Sequence, residues 1–479
     1  MSKFNKDVIY QILEELQDDS KSLYSCLLIN RTWCETTVPI LWKFPGRYVL
    51  NNSNNKLFNV ILLQLSEKSR DNLKNVVNNI FTESFRPPLF NYIKFWRHLN
   101  LRLIESMMIN SKDIVKSKIY LLRNEILKLF INENTRYISL IVPSKFKYRI
   151  YNLSGAERCF SDLEYIFFYG NEIDNLIGLS KISQSIKKMR FDKKYILKIN
   201  NSGITKLIES QKNLKEITFN RFPSKADQKS LEEAIIKSAN TIQHVKLDWK
   251  PFTKILTYLV NLTSLEICLK YNMKWENLED NISLPLLTTL KTWRVLPKIV
   301  ISLIKSTKGQ ITKLSYNYYH INNKLTKVIC KNCPKLEYFK TSINYKDKTT
   351  YYELEKILIN CQYLKGLCVQ GDHVDLDLLS KILNNSSPVG LFKLKFSFFE
   401  FKFGHLKSFF DNWTKSPMLL EINTYLMHLI ESPNLNDLVN LIRMYESNVI
   451  KHYKIIDIHE QNLDNDFTWN TSNSVTYLE

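Results

Sequence analysis

The sequence predicts an α/β protein in which a small helical module precedes a long array of repeated strand–helix units. Three observations lead to this prediction. Apolar residues in the first 45 positions recur at the spacing of amphipathic helices, and a six-residue apolar pattern returns every 20 to 28 residues from about position 136. With 44% apolar residues, the 479-residue chain also has enough material for the continuous core that such an array needs.

The first 45 residues predict three short helices. The apolar stripe of the first comprises Val8, Ile9, Ile12, Leu13 and Leu16. The second begins with Ser20 as its N-cap, and its apolar side comprises Leu23, Cys26, Leu27 and Ile29. The third runs from about Arg31 to Trp42, with Pro39 expected to kink or break it. Three such helices bury too little apolar surface to be stable alone, so we expect something else to cover the remainder.

These residues resemble an F-box. The resemblance lies in residues 7–16, 22–34 and 38–42, and above all in the run Leu-Leu-Ile-Asn-Arg-Thr-Trp that ends at Trp33 and in the closing Leu-Trp at positions 41–42. The sequence departs from the family at its start, where Phe4-Asn5 replaces the usual Leu-Pro. The alternative interpretation is a small helical cap on the array.

Residues 46–135 predict mainly helices. A polar hinge at 51–55 follows the helical module, and Pro87-Pro88 separates two helices further on. The pattern fits either a helical linker or degenerate opening repeats, and it does not choose between them.

From 136 to about 460 the repeated pattern is an apolar residue, two residues of any kind, an apolar residue, one of any kind, and a further aliphatic or aromatic residue. Its copies begin at Leu163, Ile186, Leu214, Ile242, Leu262, Leu287, Ile311, Leu336, Leu364 and Leu391. This period is typical of leucine-rich repeats, in which each unit is a short strand followed by a returning helix. The prediction is a horseshoe solenoid of divergent repeats, and the alternative is an irregular α/β domain. The acidic, polar segment 461–479 is expected to be a cap that is partly disordered.

A helical head before such repeats resembles, in particular, the fungal F-box/leucine-rich-repeat proteins. An F-box docks on the adaptor Skp1 and so recruits a substrate to a cullin-based E3 ubiquitin ligase, which leads to protein ubiquitination and proteasomal degradation. The resemblance therefore implies a substrate-recognition subunit of a Skp1-cullin-F-box complex, with no catalytic residues of its own. The Skp1 contacts that it implies are Phe4, Val8, Ile9, Ile12, Leu13, Leu16, Leu27, Leu28 and Trp33.

The fifth position of each repeat is predicted to point outward onto the concave sheet, because side chains alternate along a strand. That column comprises Phe167, Arg190, Thr218, Lys246, Glu266, Lys291, Ser315, Lys340, Cys368 and Lys395. We predict that its basic members, together with Trp293 and Tyr338 in the flanking columns, bind an acidic or phosphorylated segment of a protein substrate. The alternative is that these lysines only keep an exposed sheet soluble.

The net charge of +20 belongs to the repeats, since residues 1–45 carry five basic against six acidic side chains. A basic repeat scaffold that binds nucleic acid or protein without a ligase role is therefore the rival function. Lysines scattered along a solenoid are more typical of a solvated surface, so nucleic acid is not the expected partner.

No pattern predicts an enzyme, a cofactor or a metal. The sequence has no glycine-rich phosphate loop, HExxH helix or GxSxG elbow, and its eight histidines are dispersed. Cys330 and Cys333 form a CxxC without a second close pair, which argues against zinc. Eight cysteines without a signal peptide predict reduced thiols and a cytoplasmic or nuclear location. No stretch approaches the roughly 20 apolar residues that span a membrane.

Overall fold

The computed structural model divides into two compact units, Met1–Thr241 and Ile242–Glu479. It describes residues 5–17, 19–45, 54–77, 88–112, 114–170, 172–192, 201–221, 228–270, 275, 278, 281–318, 321–344, 347–400, 403–424, 435–446, 448–458, 467, 469 and 474–478. Among these residues, no helix is long and apolar enough to cross a membrane.

The first unit begins with three short helices: α1 (Lys6–Glu15), α2 (Ser20–Cys26) and α3 (Arg31–Leu41). Each is capped by a side chain that accepts a hydrogen bond from a backbone N–H of the first turn, and the capping residues are Asn5, Asp19 and Asn30. We refer to residues 5–45 as the head. Its core comprises Ile9, Leu13, Leu23, Cys26, Ile40 and Leu41.

Two details of the head differ from the sequence prediction. The N-cap of α2 is Asp19, whereas Ser20 was predicted, because the Asp19 carboxylate reaches the Ser22 N–H at 3.2 Å. Pro39 does not end α3, since the helix continues to Leu41 and the Trp42 N–H still donates to the Val38 carbonyl. Proline lacks only its own N–H, so the bonds after it remain possible.

Behind the head, the first unit contains eight further α-helices and five strands among its described residues. The helices are α4 (Asn54–Leu63), α5 (Glu67–Leu73), α6 (Leu101–Asn110), α7 (Ile119–Phe130), α8 (Ala156–Phe160), α9 (Ile173–Ile182), α10 (Ser202–Glu209) and α11 (Gln228–Lys237). The strands are β1 (His98–Asn100), β2 (Ser139–Val142), β3 (Tyr165–Phe168), β4 (Lys188–Asp192) and β5 (Glu216–Asn220). Neighbouring strands pair in parallel and in chain order.

The second unit contains ten strands and seven helices among its described residues. The strands are β6 (His244–Leu247), β7 (Ser264–Cys268), β8 (Thr289–Trp293), β9 (Lys313–Asn317), β10 (Tyr338–Ser342), β11 (Gly366–His373), β12 (Lys393–Glu400), β13 (Met418–Thr424), β14 (Ile450–Ile458) and β15 (Ser474–Leu478). The helices are α12 (Ile255–Tyr258), α13 (Pro297–Lys305), α14 (Asn323–Asn332), α15 (Thr349–Asn360), α16 (Leu376–Ser386), α17 (Phe403–Asp411) and α18 (Leu435–Met444).

The ten strands of the second unit also pair in parallel and in chain order. The fourth motif positions stand side by side, as the pairing Leu265↔Leu290↔Leu314 illustrates, and all are buried. The sixth positions face the helices, since the Phe396 ring on β12 packs on Phe409 of α17 with ring centroids 5.4 Å apart. The predicted strand–helix repeat with inward apolar positions is thereby confirmed, and each unit resembles part of a leucine-rich-repeat array.

Five strands lie outside the ten predicted repeats. In β1 and β2 the first motif position is aromatic, Trp96 and Tyr137, and both rings are buried where the ten predicted repeats bury leucine or isoleucine. β1 therefore places a repeat within 46–135, the segment for which a linker and opening repeats were both considered. β13 and β14 follow the last predicted copy. β15 lies inside segment 461–479, which was predicted to be a partly disordered cap, and it pairs with β14.

Candidate protein-binding surfaces

The head carries an unusual density of exposed apolar side chains. Eighteen large apolar side chains are exposed in the described part of the chain, and six of them lie between positions 8 and 29. We call these six the exposed head residues: Val8, Tyr10, Ile12, Tyr24, Leu28 and Ile29. Their exposed fractions run from 40% for Ile12 to 88% for Leu28, so a large part of the head's apolar surface contacts solvent.

The structure divides the predicted Skp1 contacts into three groups. Val8, Ile12 and Leu28 are exposed, and Ile9 and Leu13 are buried in the head core. Three more are partly buried against that core, namely Leu16, Leu27 and Trp33. Phe4 lies outside the described residues. The exposed members are open to a partner without rearrangement of the head.

The second surface is the strand face opposite the helices, which we call the open face. Strand register confirms the predicted fifth-position column within each unit. In the first unit Phe167 pairs with Arg190, which pairs with Thr218. In the second unit the column runs from β6 to β12 in the predicted order, Lys246, Glu266, Lys291, Ser315, Lys340, Cys368 and Lys395. It continues into β13 with Glu421, which the sequence analysis did not include.

The prediction that this column faces solvent is wrong for five of its ten members, which are buried: Phe167, Ser315, Lys340, Cys368 and Lys395. The exposed fractions of the two lysines are 5% for Lys340 and 2% for Lys395. Neighbouring strands lie only about 4.8 Å apart, so long side chains on adjacent strands cover one another. Lys395 also forms an ion pair with buried Glu421, with Nζ 2.9 Å from Oε1. Lys246 pairs with Glu266 in the same way at 2.7 Å. The column is a partly neutralised, packed row and not a set of freely exposed cations.

In the first unit, two arginines stack on aromatic rings. The Arg190 guanidinium lies 4.9 Å from the centroid of the Phe167 ring. Arg102 lies 4.3 Å from the centroid of Tyr169, whose ring packs against Phe167 at 4.1 Å. Arg190 was predicted to contact substrate, and the structure gives it this stacking role in the protein itself.

Trp293 and Lys291 line a shallow depression on β7, β8 and β9. The remaining lining residues are Glu266, Cys268, Thr292, Ser315 and Asn317. A depression with one aromatic wall and mixed charges is suited to a side chain of a partner protein more than to an enclosed small molecule.

Tyr338 is the centre of a second group on the open face. Its ring lies 5.6 Å from Lys313 Nζ and 5.4 Å from Lys393 Nζ, and the Lys393 amine donates to the Tyr338 hydroxyl at 3.3 Å. The Trp469 ring stacks on Tyr338 with centroids 5.5 Å apart. Sequence reasoning included Tyr338 but missed Lys313, Lys393 and Trp469, because it followed one column and expected the C-terminal segment to be a partly disordered cap.

One cysteine of the CxxC pair, Cys333, stands at a position that recurs in the next repeat. Cys333 and Cys361 end α14 and α15 at equivalent places, and both are buried. Burial raises the pKa of the Cys333 thiol to about 12. A hydrogen bond from the Cys361 thiol lowers the pKa of half-buried Cys330. Among the described residues, no group of three or more histidine, cysteine or acidic side chains could hold a metal ion.

Comparisons with known proteins add little to this description. No family model matches the sequence, and no curated protein matches it. Among solved structures, the chain is similar to the leucine-rich repeat-containing protein LegL7 from Legionella pneumophila. The match has 12% identity and a TM-score of 0.38, and it covers 64% of this chain and 96% of that chain. Since this likeness is too weak to carry an argument, the repeat architecture rests on the strand register described above.

Proposed function

We propose that this protein is a substrate-recognition subunit of a Skp1-cullin-F-box ubiquitin ligase. In this proposal the head binds a Skp1-like adaptor and through it a cullin, while the open face of the repeats binds a protein substrate. The chain has no catalytic role of its own, and it acts in the cytoplasm or the nucleus. The observation that carries the proposal is the set of exposed head residues, combined with the resemblance of their sequence to an F-box.

The exposed head residues support an adaptor-binding role on physical grounds. Apolar side chains such as Leu28 gain roughly 1.5 to 3 kcal/mol each when they are fully removed from water, so several of them would supply the energy of a stable interface. The head core is already formed by Ile9, Leu13 and their neighbours. Val8, Ile12 and Leu28 are therefore not needed to fold the head, and a partner is the natural means of covering them.

The test is capture of purified Skp1 and cullin by the full-length protein and by the double variant Ile12→Asp/Leu28→Asp. A carboxylate forced into an apolar interface costs several kcal/mol, so we expect adaptor affinity to fall at least about 100-fold. Both positions are exposed, which means that the head should remain folded. Circular dichroism of the two proteins checks that point.

Val389→Asp is the matched control, since Val389 is 93% exposed and lies in the second unit, outside the head. It should capture Skp1 as the unmodified protein does. Undiminished capture by the double variant would contradict the F-box assignment. Equal loss in the control would instead mean that any charge added to an apolar surface weakens capture, and the result would then say nothing in favour of the head.

A further inference from the structure

Two aromatic residues of the C-terminal segment lie on the open face of the second unit. Trp469 stacks on Tyr338 with an interplanar angle of 26°. Phe467, two positions earlier, has its ring centroid 6.2 Å from that of Tyr338. These contacts join the end of the chain to β10, which lies more than a hundred residues earlier in the sequence.

The place that Trp469 occupies is formed by three residues in register on adjacent strands. Tyr338, Gly366 and Lys393 stand side by side on β10, β11 and β12, and we call them the Tyr338 slot. A Cβ atom on Gly366 would lie 2.9 Å from Trp469 Cη2 and 2.7 Å from the Tyr338 ring. Only glycine leaves room for the indole at this position, so the slot is shaped for a large flat side chain.

Lysines surround both rings. Lys393 Nζ lies 5.8 Å and Lys395 Nζ 5.2 Å from the centroid of the Trp469 ring. Lys291 Nζ lies 5.7 Å from the centroid of Phe467. Cations above aromatic faces are attracted to them, and they also favour acidic residues next to those aromatics.

The sequence that contributes the two rings matches this environment. Asp464 and Asp466 precede Phe467, and no lysine or arginine follows Lys454. The segment therefore combines acidic residues with a Phe-x-Trp pair, and the surface that receives the pair combines an aromatic ring with lysines.

We propose that the Tyr338 slot is a recognition site for short acidic peptides that carry two aromatic residues two positions apart. The protein's own Phe467 and Trp469 occupy the slot until such a peptide displaces them. The inference deepens the proposed function by naming the class of substrate segment, and it rests on that function only in taking the open face as the substrate surface.

The contacts of Trp469 leave room for a competitor. Its Nε1 atom is buried and has no hydrogen-bond partner among the described residues. An indole N–H normally finds a partner when it is buried, so the chain's own segment does not use the full binding capacity of its tryptophan. A peptide whose own indole N–H has a hydrogen-bond partner when bound, or that places an aromatic ring without such a donor in the slot, has an advantage over the internal segment.

Competition by a tethered segment has a calculable effect. A segment that is covalently attached close to the surface it occupies has an effective concentration on the order of 1 mM. If the same segment binds as a free peptide with a dissociation constant of about 100 μM, tethering lowers the apparent affinity for any added peptide about tenfold. Replacement of the internal tryptophan should therefore recover this tenfold loss of apparent affinity.

The probe is a fluorescently labelled synthetic peptide of residues 461–471, and its binding to the full-length protein is followed by anisotropy. Trp469→Ala should bind it about tenfold more tightly than the unmodified protein. Adding Gly366→Leu to Trp469→Ala fills the slot and should abolish that gain. Adding Lys393→Glu instead should weaken binding at low salt. This variant tests the electrostatic attraction between the slot and the acidic peptide without filling the slot. Circular dichroism and thermal unfolding confirm that each variant is folded.

Tyr352→Ala is the matched protein control, because Tyr352 is an exposed aromatic residue on α15 of the same unit. It should bind the probe as the unmodified protein does. A control peptide with alanine in place of Phe467 and Trp469 should not bind. The inference is overturned if Trp469→Ala gains no affinity, or if the alanine peptide binds equally well.

Skp1 capture, measured on the same preparations, separates this inference from the proposed function. Capture without peptide binding would refute the slot and leave the ligase proposal intact. Peptide binding without capture would support the slot and refute the ligase role.

Discussion

The buried ion pair between Lys395 and Glu421 allows a quantitative test of how the open face is built. The sequence alone placed Lys395 on an exposed surface, whereas the structure leaves its side chain 3% and that of Glu421 5% exposed. Two opposite charges 2.9 Å apart attract each other by about 6 kcal/mol at an effective dielectric constant of about 20. The cost of removing both ions from water is of similar size, so the pair as a whole contributes little net stability.

Removal of one partner has a different consequence, because the other charge remains buried without compensation. We expect Lys395→Met to cost about 3 to 5 kcal/mol of unfolding free energy, and Glu421→Leu to cost a similar amount. The double variant Lys395→Met/Glu421→Leu replaces both charges by apolar groups of comparable volume. It should recover most of the loss, which gives a coupling energy of several kcal/mol in a double-mutant cycle.

The assay is urea unfolding of the full-length protein and the three variants, followed by circular dichroism. Lys365 and Glu337 provide the matched control, since they form a pair of the same length, 2.9 Å, with side chains 47% and 36% exposed. Lys365→Met should cost no more than about 1 kcal/mol. The buried-pair reasoning would be refuted if Lys395→Met lost less than about 1 kcal/mol of unfolding free energy, or if the two single costs simply added in the double variant. Either result would mean that Lys395 is exposed to solvent.

Three further predictions concern the core and the thiols. Leu314→Ala should cost about 2 to 5 kcal/mol and speed hydrogen exchange in the adjacent repeats too, whereas Val389→Ala on the surface should change neither; exchange confined to one strand would contradict a repeat array. Burial raises the pKa of the Cys159 thiol to about 11 from an ordinary value of 9.0. The contribution of this thiol to the free energy of unfolding is therefore complete below pH 9 and is lost as pH rises toward 11. Urea titrations at pH 8 and pH 11 should show that the unfolding free energy falls between these pH values by on the order of 2 to 3 kcal/mol less in Cys159→Ala than in the unmodified protein. An identical fall in both proteins would refute the raised pKa of Cys159. Because a hydrogen bond from Cys361 lowers the pKa of Cys330, iodoacetamide at pH 7 should modify Cys330 before Cys361, and Cys361→Ala should slow that reaction; mass spectrometry that finds no slowing would contradict the thiol pair.

Several features of this protein follow from sequence pattern alone. The six-residue motif identified the strands and their inward residues, as the buried ladder through Leu290 and Leu314 confirms. Helical spacing likewise identified the three head helices. These features are local, because the alternation of side chains along a strand and the 3.6-residue period of a helix are properties of a short segment. The aromatic first positions Trp96 and Tyr137 were missed only because the motif was restricted too narrowly.

Other features depended on the tertiary structure. Alternation along β12 places Lys395 on the open face, but it does not say what lies above or beside that face. Glu421 on the next strand and Trp469 from the end of the chain decide that Lys395 is buried. The same holds for the head, where one apolar stripe divides into buried Ile9 and exposed Ile12. Sequence period determines which side a residue faces, whereas burial depends on contacts between segments far apart in the chain, and those contacts exist only once the chain has folded.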